Sequence, residues 1–312
     1  MKPVNTESLK PVKGQPAGIK KASLIQRIIT GAAYVVVVLV CIFAGGMYGL
    51  FPALLLAFAI LGVREFCRIV SPDMPKTPLV IATALAVAMP ILTYSAAISS
   101  GSLVLGEGSM RGVIPLFYAV VLALAAYMVW VALSPHSKVR DVAASFFAAL
   151  YLGIPLSCLI LIRDMGGGVE SVGIFLTVTL VMSVWAADSF AYLGGSLFGR
   201  NKIAPVISPK KSWEGLVAGT LGAILLWYVA LFIYFGSASI LAAVIMGLAV
   251  SLAALIGDLF QSRIKREAGV KDSGTLLPGH GGILDRIDSL LLVAPLMFIL
   301  LSTIGVALGV VP

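Results

Sequence analysis

The sequence carries very little charge. Only 12% of its 312 residues are Asp, Glu, Lys or Arg, whereas 60% are hydrophobic, and the mean hydropathy is +1.06. So little polar surface cannot coat a water-soluble globule, and that class of protein is excluded. The apolar residues also occur in runs of about twenty, the length that a helix needs to cross roughly 30 Å of hydrocarbon. The sequence therefore predicts an all-α, polytopic integral membrane protein.

Cysteine and histidine are also scarce. The three cysteines, Cys41, Cys67 and Cys158, share no CxxC spacing, so the sequence indicates neither a disulfide framework nor a zinc site. We interpret them as small core residues. One of the two histidines, His136, follows a proline in a loop and is interpreted as structural. The net charge of +8 has no basic stripe interleaved with aromatic residues, so we expect no nucleic-acid partner.

Nine apolar runs are predicted to span the membrane. Residues 1–23 precede them and hold five lysines and three prolines, which predicts a disordered basic tail. The first run is too long for a signal peptide and has no clear cleavage site, so we keep it as a helix. The predicted spans are 24–44, 47–63, 78–98, 113–133, 142–162, 172–193, 215–236, 240–261 and 289–310.

The lysines and arginines orient these spans. If the tail is cytoplasmic, 20 of the 22 basic residues face the cytoplasm, and only Arg111 and Arg163 lie outside. The positive-inside rule therefore predicts a multi-pass protein of the cell (inner) membrane with a cytoplasmic N-terminus.

The chain is divided into two membrane regions by this scheme. Residues 24–133 form the N-terminal transmembrane helices, and residues 134–312 form a catalytic transmembrane region. The predicted cytoplasmic loops 194–214 and 262–288 of the second region concentrate glycine, proline and charge, as expected where irregular backbone carries function. We therefore expect an active site that faces the cytoplasm.

Two acids lie within predicted spans, Asp188 and Asp258. Ionisable groups inside a membrane are costly, so each is a candidate functional residue. Asp258 is predicted to lie about 8 Å from the helix end, near the cytoplasmic surface. The alternative is an ion pair that holds helix ends together, between Asp188 and Arg200 or between Asp258 and Arg263.

The loop 262–288 is the most polar stretch of the sequence. If its end is helical, Asp285 and Asp288 share one face. With Asp258 nearby, they make an all-oxygen site that suits Mg²⁺ better than zinc. Mg²⁺ usually bridges carboxylates to substrate phosphates, which gives the basic residues around it a role. For any single lysine or arginine, the positive-inside rule remains the alternative explanation.

Two further segments favour phosphate binding. His280 stands among glycines, where a phosphate can approach closely and the imidazole can donate a hydrogen bond or shuttle a proton. Lys210, Lys211 and Ser212 precede a predicted helix, whose N-terminus favours anions such as a polyphosphate. The alternative for that segment is an interfacial anchor around Trp213.

Residues 262–288 resemble the signature of the phosphatidate cytidylyltransferases, also called CDP-diacylglycerol synthases. The resemblance extends from about residue 180 to the end of the chain, and the first four spans resemble nothing beyond generic membrane helices. The positions that fit the signature are Ser262, Lys265, Arg266, Lys271, Asp272, Gly274, Leu277, Pro278, His280, Gly281, Gly282, Asp285, Arg286 and Asp288.

The resemblance implies transfer of a cytidylyl group from CTP to phosphatidic acid, giving CDP-diacylglycerol and pyrophosphate. It also implies a homodimer that requires Mg²⁺, with a second cation such as K⁺ beside it. By the same resemblance Asp258 and Asp285 match the metal-binding acids, whereas Asp188 and Asp288 are weaker candidates in the same pocket.

The chemistry of this reaction assigns roles to the remaining candidates. A phosphatidate oxygen is already ionised at neutral pH, so positioning and electrostatics should dominate over general-base help. Arg286 is expected to orient the carboxylates, with Lys265, His280 and Asp288 as further catalytic candidates. The expected substrate-binding residues are Lys210, Lys211, Ser212, Ser262, Lys265, Arg266, Lys271 and Asp272.

Two other functions are compatible with parts of the pattern. An ion-coupled secondary transporter would use Asp188 and Asp258 to bind its coupling ion. That hypothesis leaves the polar loop 262–288 unexplained. Another enzyme that moves phosphorylated groups onto lipids would share the magnesium chemistry, but the full signature would then be a coincidence.

Overall fold

The computed structural model describes residues 24–44, 49–100, 109–134, 138–165, 170–277 and 279–310, which are mostly helical. The last two helices are separated only by Asp288 and Ser289, both in helical conformation, so they form one apolar segment, Leu284–Ile304. In chain order the elements are α1 (Leu24–Phe43), α2 (Leu50–Val70), α3 (Lys76–Ser100), α4 (Ser109–Leu133), α5 (Val139–Arg163), α6 (Glu170–Phe198), β1 (Lys202–Ala204), β2 (Ser208–Ser212), α7 (Trp213–Phe235), α8 (Ile240–Glu267), α9 (Leu284–Ile287) and α10 (Leu290–Ile304).

Each predicted span overlaps one of these helices. Within the described ranges, seven helical segments are long and apolar enough to cross a membrane, and α1 and α4 contribute the shorter apolar stretches Ile29–Phe43 and Phe117–Leu133. The prediction of an all-α, polytopic membrane protein is therefore confirmed. The predicted tail 1–23 and His136 lie outside the described residues.

Several predicted helix ends were wrong. Helix α2 continues to Val70, α6 to Phe198 and α8 to Glu267, each several residues beyond the apolar run. On α8, Arg263 and Glu267 are one turn apart and approach to 4.0 Å. Such i, i+4 pairs support a helix after its apolar residues end. Loop 262–288 thus begins as a helix, and Asp258 lies about 13 Å from the helix end instead of about 8 Å.

The predicted loop 194–214 contains an unpredicted β-hairpin. Strands β1 and β2 pair antiparallel, with Lys202 opposite Ser212 and Ala204 opposite Ser208. The hairpin leads directly into α7, because the Ser212 hydroxyl accepts a hydrogen bond from the Gly215 amide at 3.2 Å and caps the helix. The strand that carries Lys210 and Lys211 is therefore fixed to the first turn of a membrane helix.

Helix α5 lies at the centre of the packing. It is the most enclosed of the seven candidate spans and contacts α2, α3 and α10, while α6, α7 and α8 pack side by side. One continuous hydrophobic core includes residues from α1, α2, α5, α6, α8 and α10. The N-terminal helices are therefore part of the same core as the helices that carry the polar residues.

Candidate active site

A cavity of about 440 Å³ lies among α6, α7, α8, the hairpin and the start of α9. Four of the predicted site residues do not line it: Ser262, Arg266, Lys271 and His280. The other ten residues line the cavity, so the fold brings most of the predicted site residues to one place. Those ten are Asp188, Lys210, Lys211, Ser212, Asp258, Lys265, Asp272, Asp285, Arg286 and Asp288.

Two glycines allow the helices around the cavity to approach closely. A Cβ on Gly257 of α8 would lie 2.8 Å from the backbone oxygen of Asp288, and a Cβ on Gly219 of α7 would lie 2.6 Å from the backbone oxygen of Ala187. Neither distance is compatible with a side chain. The first contact places Asp258 beside Asp288, and the second brings α7 against the turn of α6 that carries Asp188.

Three carboxylates share the cavity wall: those of Asp188, Asp258 and Asp288. They come from α6, α8 and the junction of α9 with α10. Among the residues that the structure describes, no three acidic, histidine or cysteine side chains form an assembled metal site. The wall nevertheless supplies the hard oxygen ligands that Mg²⁺ prefers, and a cation there would offset the negative charge of the acids.

Asp258 is paired across the cavity. Lys211 Nζ lies 2.7 Å from its Oδ2, and the Ser262 hydroxyl donates to its Oδ1 at 3.1 Å. The sequence suggested two ion pairs, Asp188–Arg200 and Asp258–Arg263, and neither is formed in the described part of the chain. Arg263 contacts Glu267 instead of Asp258. Ser262 therefore holds a carboxylate in place from beneath the cavity wall.

Asp285 is engaged at both oxygens. Lys265 Nζ lies 2.7 Å from Oδ1, and the amides of Ser273 and Gly282 donate to Oδ2 at 2.7 and 3.0 Å. Both ends of the Lys265–Asp285 pair are buried. In this structure the carboxylate ties α8, the following loop and α9 together, and its role as a metal ligand stays a prediction.

The remaining predicted residues lie away from the cavity. His280 Nδ1 is 2.8 Å from the Thr30 hydroxyl of α1, so its ring packs against the first helix. Arg266 is exposed and donates to the backbone oxygen of Val270 at 3.2 Å, and Lys271 is exposed as well. The structure does not bring these three side chains to the other candidates.

Sequence reasoning missed Glu65, on α2. Its carboxylate accepts hydrogen bonds from the Ser273 hydroxyl at 2.9 Å and from the amides of Ile283 and Leu284 at 3.0 and 2.9 Å. The predicted span 47–63 ends before Glu65, so no role was predicted for this residue from the sequence. Arg64 and Arg68 flank Glu65, so it lacked the signal that singled out Asp188, a lone acid in an apolar run.

The fold and the cavity define a polytopic membrane protein in which carboxylates and lysines meet in one pocket. The chain matches the model of the cytidylyltransferase family over residues 25–304 and belongs to that family. This confirms the family predicted from the signature. The predicted limit of the resemblance near residue 180 was wrong, since the family model matches from residue 25 onward.

Similar proteins carry the name phosphatidate cytidylyltransferase. The one from Haemophilus influenzae is 46% identical over 129 residues, which is 39% of this chain and 44% of that protein. The one from Rickettsia bellii is 37% identical over 197 residues, 59% of this chain and 79% of that protein. The one from Thermotoga maritima is 39% identical over 171 residues, 53% of this chain and 61% of that protein. These similarities give no support to the transporter alternative.

Proposed function

We propose that this chain transfers a cytidylyl group from CTP to phosphatidic acid and releases CDP-diacylglycerol and pyrophosphate. The observation that carries the proposal is the cavity, in which signature residues of a cytidylyltransferase meet two lysines of the hairpin and the acids Asp188 and Asp258. The names of the relatives supply the substrates. A single pocket at a membrane helix end suits both a soluble nucleotide and a lipid headgroup.

In this reaction a phosphatidate oxygen attacks the α-phosphorus of CTP, and the bond to pyrophosphate breaks. Both reactants are anions, so the main barrier that the protein can lower is charge repulsion. Lys210, Lys211 and Lys265 line the cavity and supply positive charge. Arg286 adds a donor, because its Nε is buried and has no hydrogen-bond partner among the described atoms. The Arg286 side chain lines the cavity, and a guanidinium group is suited to a phosphate oxygen.

The donor set around the cavity fits Mg²⁺. Asp188, Asp258 and Asp288 would hold it, and Mg²⁺ when bound neutralises charge on the transferring and leaving phosphates. Lys211 pairs with Asp258 at 2.7 Å, which keeps the lysine at the cavity. A second cation such as K⁺ belongs to the same proposal.

We also propose the setting in which the reaction occurs. The distribution of basic residues supports a multi-pass protein of the cell (inner) membrane with the cavity facing the cytoplasm. There CTP reaches the cavity from the water phase and phosphatidic acid from the bilayer. The homodimer that the family resemblance implies is part of this proposal.

The test uses purified protein in detergent with phosphatidic acid, Mg²⁺ and each of the four nucleoside triphosphates labelled at the α-phosphate. We expect labelled lipid from CTP, and a decrease of about 10²–10³-fold in Asp258→Asn, because the variant loses a carboxylate proposed to hold the charge-neutralising Mg²⁺. Asp73→Asn, in an exposed loop, should match the wild type. Folded wild-type protein that labels no lipid with any nucleotide would contradict the proposal.

A further inference from the structure

The Glu65 carboxylate holds the loop that joins α8 to α9. Its Oε1 accepts from the Ile283 amide, and its Oε2 accepts from both the Leu284 amide and the Ser273 hydroxyl. These donors lie more than 200 positions further along the chain. A single side chain of α2 therefore fixes both the beginning and the end of the segment 273–284.

Asp285 contacts the same two stretches of backbone from the other side. Its Oδ2 accepts from the Ser273 and Gly282 amides, while its Oδ1 pairs with Lys265. Ser273 thus donates its amide to Asp285 and its hydroxyl to Glu65. The two carboxylates hold the loop between them, and only Asp285 lines the cavity.

The loop sequence leaves room for the Glu65 carboxylate. A Cβ on Gly274 would lie 2.6 Å from Glu65 Oε1, and a Cβ on Gly282 would overlap both Glu65 Oε2 and the Ser273 hydroxyl. Side chains at either position would push the carboxylate away from its donors. The close packing makes the position of the loop depend on the position of α2.

We infer that Glu65 is a positioning residue for the transfer reaction: it holds the segment 273–284 so that Asp285, Arg286 and Lys265 keep their places on the cavity wall. The inference rests on the proposed function, because its test measures the rate of the proposed transfer reaction. Glu65 itself does not line the cavity, so it acts through the residues of the loop.

The isosteric variant Glu65→Gln gives a sharp test. All the Glu65 partners are donors, so in either orientation of the amide its NH₂ group faces an N–H or O–H donor. We expect kcat to decrease about tenfold or more, with a smaller change in KM for CTP, because the reacting groups are misplaced. Glu65→Asp keeps two acceptors and should recover part of kcat. Glu267→Gln, an exposed acid on α8, is the matched control and should behave like the wild type.

Hydrogen–deuterium exchange separates positioning from general loss of structure and from the reaction itself. In Glu65→Gln we expect faster exchange of the amides between 273 and 284 with unchanged exchange in α7. Unchanged exchange in that loop, or Glu65→Asp as slow in catalysis as Glu65→Gln, would overturn the inference. A wild type that transfers no cytidylyl group would contradict the proposed function and leave the exchange result interpretable.

A milder variant serves if Glu65→Gln does not fold. Ser273→Ala removes one donor to Glu65 and leaves the Ser273 amide on Asp285. It should lower kcat in the same direction by a smaller factor and raise exchange in the same loop. Wild-type values for both measurements would overturn the inference.

Discussion

At the residue scale, the buried pair of Lys265 and Asp285 joins α8 to the start of α9. The side chains are 10% and 7% exposed and their charged atoms lie 2.7 Å apart. Removing one partner of a buried pair leaves the other charge uncompensated, at a cost of about 3–5 kcal/mol. Two amides also donate to Asp285 and still stabilise its charge, so we expect Lys265→Met to lower the free energy of unfolding by about 3 kcal/mol.

Arg263 is the control for this prediction, on the same helix. It pairs with Glu267 at 4.0 Å, but both side chains are mostly exposed. Exposed pairs contribute less than about 1 kcal/mol, so Arg263→Met should leave stability nearly unchanged. Denaturant titration in detergent, followed by circular dichroism, measures both. Equal losses in the two variants would contradict a special role for the buried pair.

Acids in the membrane were predictable residue by residue, but their partners were not. Asp188 and Asp258 stood out because a lone carboxylate in an apolar run is costly. The partner of Asp258 is Lys211, 47 positions earlier in the sequence, and the partners of Glu65 lie even further away. Proximity in the sequence suggested Arg263 as the partner of Asp258 instead. Pairing across the chain depends on helix packing, which a single sequence does not display.

At the element scale, the hairpin and α7 are joined by the cap at Ser212. The protein offers a matched comparison, since Ser239 caps α8 in the same way: each hydroxyl accepts from the amide three residues on at 3.2 Å. Loss of either cap should cost about 1 kcal/mol. Ser212→Ala should also lower transferase activity, because Lys211 precedes the cap and faces Asp258.

The expected contrast is a similar loss of stability in Ser212→Ala and Ser239→Ala, with reduced activity in the first alone. Ser239 starts α8 at the end opposite the cavity, so its cap touches none of the substrate-binding candidates. Thermal unfolding and the labelled-lipid assay on the same detergent preparations measure both effects. Equal activity in the two variants would show that the cap does not hold the lysines in place.

Elements differ in how well the sequence predicted them. Runs of about twenty apolar residues located the helices, because burial in hydrocarbon requires that length. The helix ends were predicted poorly, since charged residues such as Arg263 and Glu267 continue α8 past the apolar run. The strands were missed because β1 and β2 span three and five residues without apolar alternation. Their pairing comes from backbone hydrogen bonds, which leave no pattern in the side chains.

On the scale of the whole molecule, the N-terminal helices complete a site whose charged groups come mainly from the C-terminal half. Glu65 of α2 and Thr30 of α1 both contact the segment that follows α8, and α5 packs between the two groups of helices. The residues lining the cavity begin at Ala187. A fragment containing only those later residues would lack the groups that hold the loop, so we expect the site to require the N-terminal helices.

The orientation of the molecule can be tested at the two ends of α7. The hairpin before α7 contains Val206, exposed in its turn, and Ser237 follows the helix end, so about 35 Å of helix separates them. The charge distribution predicts that the hairpin and Asp73 face the cytoplasm and that Ser237 lies outside. Since CTP is a cytoplasmic substrate in the proposed reaction, the hairpin lysines must face that side.

The measurement starts from a protein in which Cys41, Cys67 and Cys158 are replaced by alanine. Single cysteines are then introduced by substitution, one in each variant, and the labelling is done on intact cells that express the variant. A membrane-impermeant maleimide should label Ser237→Cys directly, but Val206→Cys and Asp73→Cys only after the membrane is permeabilised. Retained transferase activity in the cysteine-free background shows that the fold is preserved. The reverse labelling pattern would place the cavity outside the cell, where a cytoplasmic nucleotide cannot reach Lys211, and would therefore contradict both the orientation and the proposed reaction.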